Sequence, residues 1–319
     1  MTAAMDGSTT AAGDVLVADP PEPGVPEWAD GADGGRPLGP EDLAAREQRD
    51  ASVRLVIDWL VVTACALFVF LNLHPDQILS SAVPAGGDMG AHVWGPAYLR
   101  DELLPAGRLS GWTPDWYAGF PAYQFYMLPP ALLVLALDLV LPYGIALKLI
   151  TVSGLVAMPL CAYAMGRLFR MPFPGPPLLA IATLPFLFDR TWTIYGGNVA
   201  STLAGEFSFS ISLSLALLFF GVVARSLETG RHRGWAAVLL ALVILSHPIP
   251  AFFALAGAAV LLLLRLDRQR IAFAVPTIAV GGFLTSFWSI PFIIERGFLT
   301  DMGWERLTGH ADALLPVAT

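Results

Sequence analysis

Apolar stretches poor in charge recur along the chain, separated by polar connectors. They run over 55–73, 127–142, 147–166, 177–194, 207–224, 235–264 and 271–294, with Asp58 interrupting the first near its start. A helix needs roughly 20 apolar residues to cross a membrane core about 30 Å thick. The stretch 235–264 is too long for one crossing, since it would make a helix of about 45 Å. It also contains Ser246, His247, Pro248, Ile249 and Pro250. Two prolines so close break a helix and drive the residue ahead of the first out of the α region. The pattern predicts two short helices joined at SHPIP. Over the whole chain it predicts an all-α, polytopic membrane bundle of about seven to eight segments, with a long loop, 74–126, after the first helix.

Arginines orient this bundle. Arg225, Arg231 and Arg233 precede the broken stretch and Arg265, Arg268 and Arg270 follow it, so both flanks are expected in the cytoplasm and SHPIP outside. Alternation then places Tyr195–Glu206 and Glu295–Thr319 outside and Arg167 with Arg170 inside. The first helix, with Arg46, Arg49 and Arg54 on its cytoplasmic side, sends 74–126 outside. Between that loop and Arg167 an odd number of crossings is required, so 127–142 and 147–166 either share one crossing or one of them is re-entrant.

Composition agrees with a membrane protein: 55% hydrophobic, 14% charged and a mean hydropathy of +0.63. Residues 1–54 hold eleven of the 26 acids and four of the 18 bases, so nearly all of the net charge of −8 sits there. That balance argues against a nucleic-acid partner. Residues 1–53, rich in Ala, Gly, Pro and Asp, read as a disordered acidic cytoplasmic tail, and 54–319 as the membrane domain. The tail lacks the pattern of a cleaved signal peptide. Cys65 and Cys161 fall in apolar runs, so no disulfide framework is implied.

Chemistry-capable residues gather in the segments placed outside. Asp88 and His92 lie at i and i+4, one face of any helix starting at Met89, where such a pair holds a metal or passes a proton. Gly86, Gly87 and Gly90 beside them permit close approach. The competing account of Asp88 is a helix cap, and that of His92 an ordinary loop histidine. Trp112, Asp115, Trp116, Tyr117, Tyr123, Gln124 and Tyr126 belong to an aromatic stretch that serves either as an interfacial belt or as a platform for a sugar ring or lipid headgroup. Asn198 and Glu206 precede a membrane helix, and Glu206 either complements its dipole or is functional. His247 in SHPIP and Asp301 in the last outer segment complete the set. A site drawing on several loops at the outer helix ends would collect Asp88, His92, Glu206, His247 and Asp301. No Walker loop, GxGxxG, HExxH, CxxC or GxSxG motif is present.

These strings resemble a known group. GGDMGAH followed by WTPDWYAGFPAYQFY is similar to the polytopic GT-C-fold glycosyltransferases that use lipid-linked sugars. With GGNVASTLAGEFSFSIS, LSHPIP and TDMGWE, the chain looks closer still to the bacterial membrane family called 6-pyruvoyl-tetrahydropterin-synthase-related, over about residues 80–310. The resemblance implies a bacterial cytoplasmic-membrane protein in contact with membrane lipids, a polyprenyl-phosphate sugar donor and an unidentified glycan or protein acceptor. It makes Asp88 the matching position for a catalytic base; His92 and Glu206 join it as catalytic candidates from their own placement. In some such enzymes a divalent metal neutralises the leaving phosphate; otherwise Arg100, Arg108, Arg190, Arg296 or Arg306 would serve. It implies nothing about pterin chemistry, because the chain's five histidines are dispersed. GT-C proteins are generally longer, with further membrane helices, so the chain is expected to be a truncated gene product, a fragment or a non-catalytic remnant. The alternatives are a non-catalytic membrane subunit or scaffold that binds a lipid-linked glycan or partner, and a lipid-glycan transporter.

Overall fold

The computed structural model describes residues 40–116, 118–191, 194, 196–264 and 266–299. The chain divides ahead of Val53, and the architecture below is that of the unit beginning there, apart from the first turns of its leading helix. Helix α1 (Pro40–Asn72) is followed by a single turn, α2 (Pro75–Ile78). Then come α3 (Met89–Tyr98), which widens into a π-turn over Leu99–Leu103, and the strands β1 (Gly111–Thr113) and β2 (Phe120–Ala122). Helices α4 (Leu128–Asp138), α5 (Tyr143–Leu168) and α6 (Gly175–Phe188) lead to α7 (Val199–Ser201), a π-turn at Thr202–Glu206 and α8 (Phe207–Thr229). Helices α9 (Arg233–Ser246), α10 (Pro248–Leu263) and α11 (Arg268–Ile294) close the described chain.

Four helical segments are long and apolar enough to cross a membrane: Leu43–Asn72, Tyr143–Leu168, Val199–Thr229 and Arg268–Ile294. Helices α4, α6, α9 and α10 are apolar but shorter. Of the two stretches that had to share an odd number of crossings, α5 has the length for one. The 11 residues of α4 span only about 16 Å. SHPIP does separate two helices, and His247 between them is extended at φ −167°, ψ 133°.

Two expectations are corrected. Residues 40–53 were assigned to a disordered tail, yet α1 begins at Pro40. Proline is preorganised for a first helical position, and the Glu-Asp-Leu-Ala-Ala-Arg-Glu-Gln-Arg that follows is made largely of strong helix formers. The all-α reading also missed a hairpin. Trp112 pairs antiparallel with Pro121 and Thr113 with Phe120, because β-favouring residues flank a turn in which Ala118 and Gly119 take φ of 60° and 121°.

Helix α8 is central, packed against α5, α9 and α10. Its approach to α5 depends on Gly154, where a Cβ would lie 2.4 Å from the Ile211 nitrogen. Ser214 Oγ donates to Gly154 O at 2.7 Å, and Ser212 Oγ to Val243 O of α9 at 2.8 Å. Small and hydroxyl residues of this kind join helices in an apolar medium. The outward faces of α1 and α11 carry exposed Leu60, Leu71, Phe283 and Ile294, which face lipid.

The bundle has two chemically different ends. Tyr143 Oη, at the start of α5, donates to Val93 O of α3 at 2.5 Å. Arg167, in the last turn of α5, pairs at 3.1 Å with buried Asp58, which Tyr163 also contacts. Between them lie some 24 residues of helix, about 36 Å. Arg225, Arg233, Arg268 and Arg270 stand at the Arg167 end, since α8 runs with α5 and α9 and α11 begin where α8 stops. The N-terminus of α8, His247 and the C-terminal part of α11 lie at the α3 end, where Trp288 Nε1 donates to Tyr126 O at 3.0 Å.

Candidate functional site

At the α3 end two backbone turns dock face to face. Gly87 has φ 51°, and a Cβ on it would lie 2.2 Å from Ala204 O, so only glycine fits. The next residue, Asp88, donates its N–H to the same Ala204 oxygen at 2.7 Å. The opposing turn is the π-turn Thr202–Glu206, a distortion that recurs at functional sites. It ends at Gly205 with φ 135° and ψ −14°, and a Cβ there would come within 2.8 Å of Asp88 Cβ. Asp88 is thereby set against Ala204 and Gly205, the residues leading into Glu206, and Asp88 and Glu206 each take the N-cap position of their helices, α3 and α8.

Neither carboxylate caps its helix. Asp88 uses its backbone oxygen to receive Ala91 N–H at 3.0 Å and leaves its exposed side chain free of cap bonds, so the capping account has no bond behind it.

His92 follows one turn later on the same face. Its ring meets Phe207 edge-on at 4.7 Å and lies 5.9 Å from the Tyr126 ring. Burial lowers its pKa; Glu206, Asp88 and the Gly205 carbonyl oppose that with less effect. The imidazole is therefore neutral at pH 7 and able to take a proton. Because the folded pKa is depressed, the unfolded chain protonates first as pH falls through about 6.5. Stability is complete above that pH and is lost below it. Thermal unfolding from pH 8 to 5 should show this decline, and His92→Gln should flatten it.

His247 completes the group: its Nε2 lies 3.6 Å from Glu206 Oε2, just beyond a hydrogen bond. Tyr126, Asp88, His92, Glu206 and His247 are thus brought together. Among the described residues no three His, Cys, Asp or Glu gather as a metal-binding group. No described arginine pairs with Asp88 or Glu206. Arg100, a candidate cation, is held by Asp101 at 2.6 Å and Asp138 at 2.7 Å.

The aromatic hairpin sits elsewhere. Trp94, two residues past His92, points from nearly the opposite face of α3. It stacks on Tyr98 at 4.7 Å and meets Trp116 at 5.9 Å and Phe120 at 5.6 Å. Tyr98 Oη donates to Trp112 O at 3.1 Å, and Asp115 N–H donates to Thr113 Oγ1 at 3.2 Å. Trp112, Asp115 and Trp116 therefore form a separate surface, with Trp112 67% exposed. Tyr123 and Gln124 line a small cleft with Ser110, Phe287 and Trp288. Asn198 is occupied in its own turn, accepting from Ser201 N–H at 2.8 Å and donating to Asp189 O at 3.0 Å. Tyr117 and Asp301, like Arg306, lie outside the described residues. Gly205 was not singled out from the sequence; a glycine inside an otherwise helical run was the available signal.

The class is that of a helical membrane protein with an acidic and histidine-bearing cluster seated on broken helix ends. Residues 115–310 match the model of the 6-pyruvoyl-tetrahydropterin synthase related domain, a membrane protein family, and the chain belongs to that family. No curated protein and no solved structure matches it. Glu206 and His247 fall within the matched stretch, and Asp88 and His92 precede it.

Proposed function

We propose that this protein is a membrane glycosyltransferase of GT-C-like architecture. It transfers a sugar from a polyprenyl-phosphate donor at the extracytoplasmic face of a bacterial cytoplasmic membrane, with the arginine-bearing end and the N-terminus in the cytoplasm. The short helices α4, α6, α9 and α10 would bring the membrane segments to the expected seven or eight. The observation that carries the reading is Asp88: an exposed carboxylate without cap bonds, one helical turn from a histidine that also feels the charge of Glu206.

In this reading Asp88 accepts the proton of the acceptor hydroxyl as its oxygen attacks the anomeric carbon. The bond from that carbon to the phosphate oxygen breaks, polyprenyl phosphate leaves with the electron pair, and the configuration inverts. His92 keeps a lone pair beside Asp88, and Glu206 receives a sugar hydroxyl. Tyr126 and the Trp112–Trp116 hairpin offer rings for the sugar and the lipid. No step of this transfer depends on a metal ion.

The test uses right-side-out vesicles carrying the full-length protein, radiolabelled polyprenyl-phosphate sugars, and glycan acceptors added outside. Label should move to acceptor above the level of vesicles without the protein. Equal labelling in both would overturn the proposal.

A further inference from the structure

Two helix breaks meet at the α3 end, one at Gly205–Glu206 and the other at His247. We infer that His247 is a positioning residue for Glu206: its Nε2–H restrains the carboxylate and leaves the second oxygen to accept from a ligand hydroxyl. This deepens the glycosyltransferase reading and rests on it.

The argument begins in the backbone. Pro248 and Pro250 have no N–H, and Ala251 N–H bonds His247 O at 3.3 Å. Ile249 N–H is then the one donor in the first turn of α10 that still needs an acceptor. His247 Nδ1 supplies it at 3.2 Å. A neutral imidazole whose Nδ1 accepts must carry its hydrogen on Nε2, the atom that faces Glu206. The ring is held in place, with its side chain only 8% exposed and Phe209 packed at 5.1 Å. Glu206 is the looser partner, 38% exposed and without a cap bond. A gap of 3.6 Å is the kind that tightens when ligand binds.

Two substitutions separate positioning from capping. His247→Asn keeps a short acceptor for Ile249 N–H but cannot reach Glu206. His247→Gln places an N–H donor at the reach of Nε2 and caps poorly. Positioning predicts that transfer falls about ten- to hundredfold in His247→Asn and largely recovers in His247→Gln, while thermal stability ranks the other way. Transfer that follows stability would overturn the inference. A second readout needs no activity: in ¹⁵N-histidine spectra of the full protein, the His247 Nε2–H signal should shift in Glu206→Gln. An unshifted signal overturns the inference even where sugar is transferred. A shifted signal in a protein that transfers nothing upholds the pairing and overturns only the proposed function.

Discussion

Gly205→Ala is expected to reduce sugar transfer at least about a hundredfold and to destabilise the protein by about 1–3 kcal/mol. Gly205 occupies a backbone region essentially closed to other residues, at φ 135° and ψ −14°. An alanine there must either strain the turn or rotate it, and its Cβ would press on Asp88 Cβ from 2.8 Å. Either response moves Glu206 away from Asp88 and His92, and a displacement of about 1 Å in a reacting group is enough for a loss of that size. Gly90→Ala is the matched control, because nothing lies within 4 Å of the added carbon and alanine favours the helix by about 1 kcal/mol. Unfolding in detergent and transfer rates would be compared for the two. If Gly205→Ala transferred at the parent rate, the docking of the two turns would be irrelevant to activity.

The order of the apolar helices and the α9–α10 break were legible because they follow from one-dimensional chemistry, whereas the lengths of α4 and α6 fall short of the expected stretches. Two prolines within SHPIP make the α9–α10 break unavoidable, and the apolar runs locate α5, α8 and α11 to within a few residues. The start of α1 was not legible. Its first turns are polar and carry no apolar periodicity, so only their helix-forming composition marked them. The hairpin escaped notice because its strands are three residues each, too short for alternation to register.

For the site, topology suggests a gathering of Asp88, His92, Glu206, His247 and Asp301. In the structure His92 feels the charges of Glu206 and Asp88, His247 Nε2 lies 3.6 Å from Glu206 Oε2, and Asp301 lies outside the described residues. What topology does not carry is the means of bringing them together. Gly87 and Gly205 act through contacts between residues more than a hundred positions apart, which no local pattern encodes. Nor does sequence tell an available group from an occupied one. Asn198 and Arg100 looked as available as Glu206, and became occupied only once Ser201, Asp189, Asp101 and Asp138 were in place. The aromatic stretch was read as one cluster, but α3 divides it. Tyr126 joins His92, while Trp112, Asp115 and Trp116 pack toward the opposite face of the same helix.

The central claim is that Asp88 takes the acceptor's proton, and Asp88→Asn tests it most directly. Asparagine matches aspartate in size, and the Asp88 side chain makes no cap bond to lose, so stability and donor binding should remain near those of the parent. The amide cannot accept a proton in the transition state. Initial rates in membranes bearing the full-length protein, with polyprenyl-phosphate sugar at saturation, should therefore fall about a hundredfold or more. Transfer at the parent rate by folded Asp88→Asn would contradict the account, leaving Asp88 a structural residue and the cluster a binding surface.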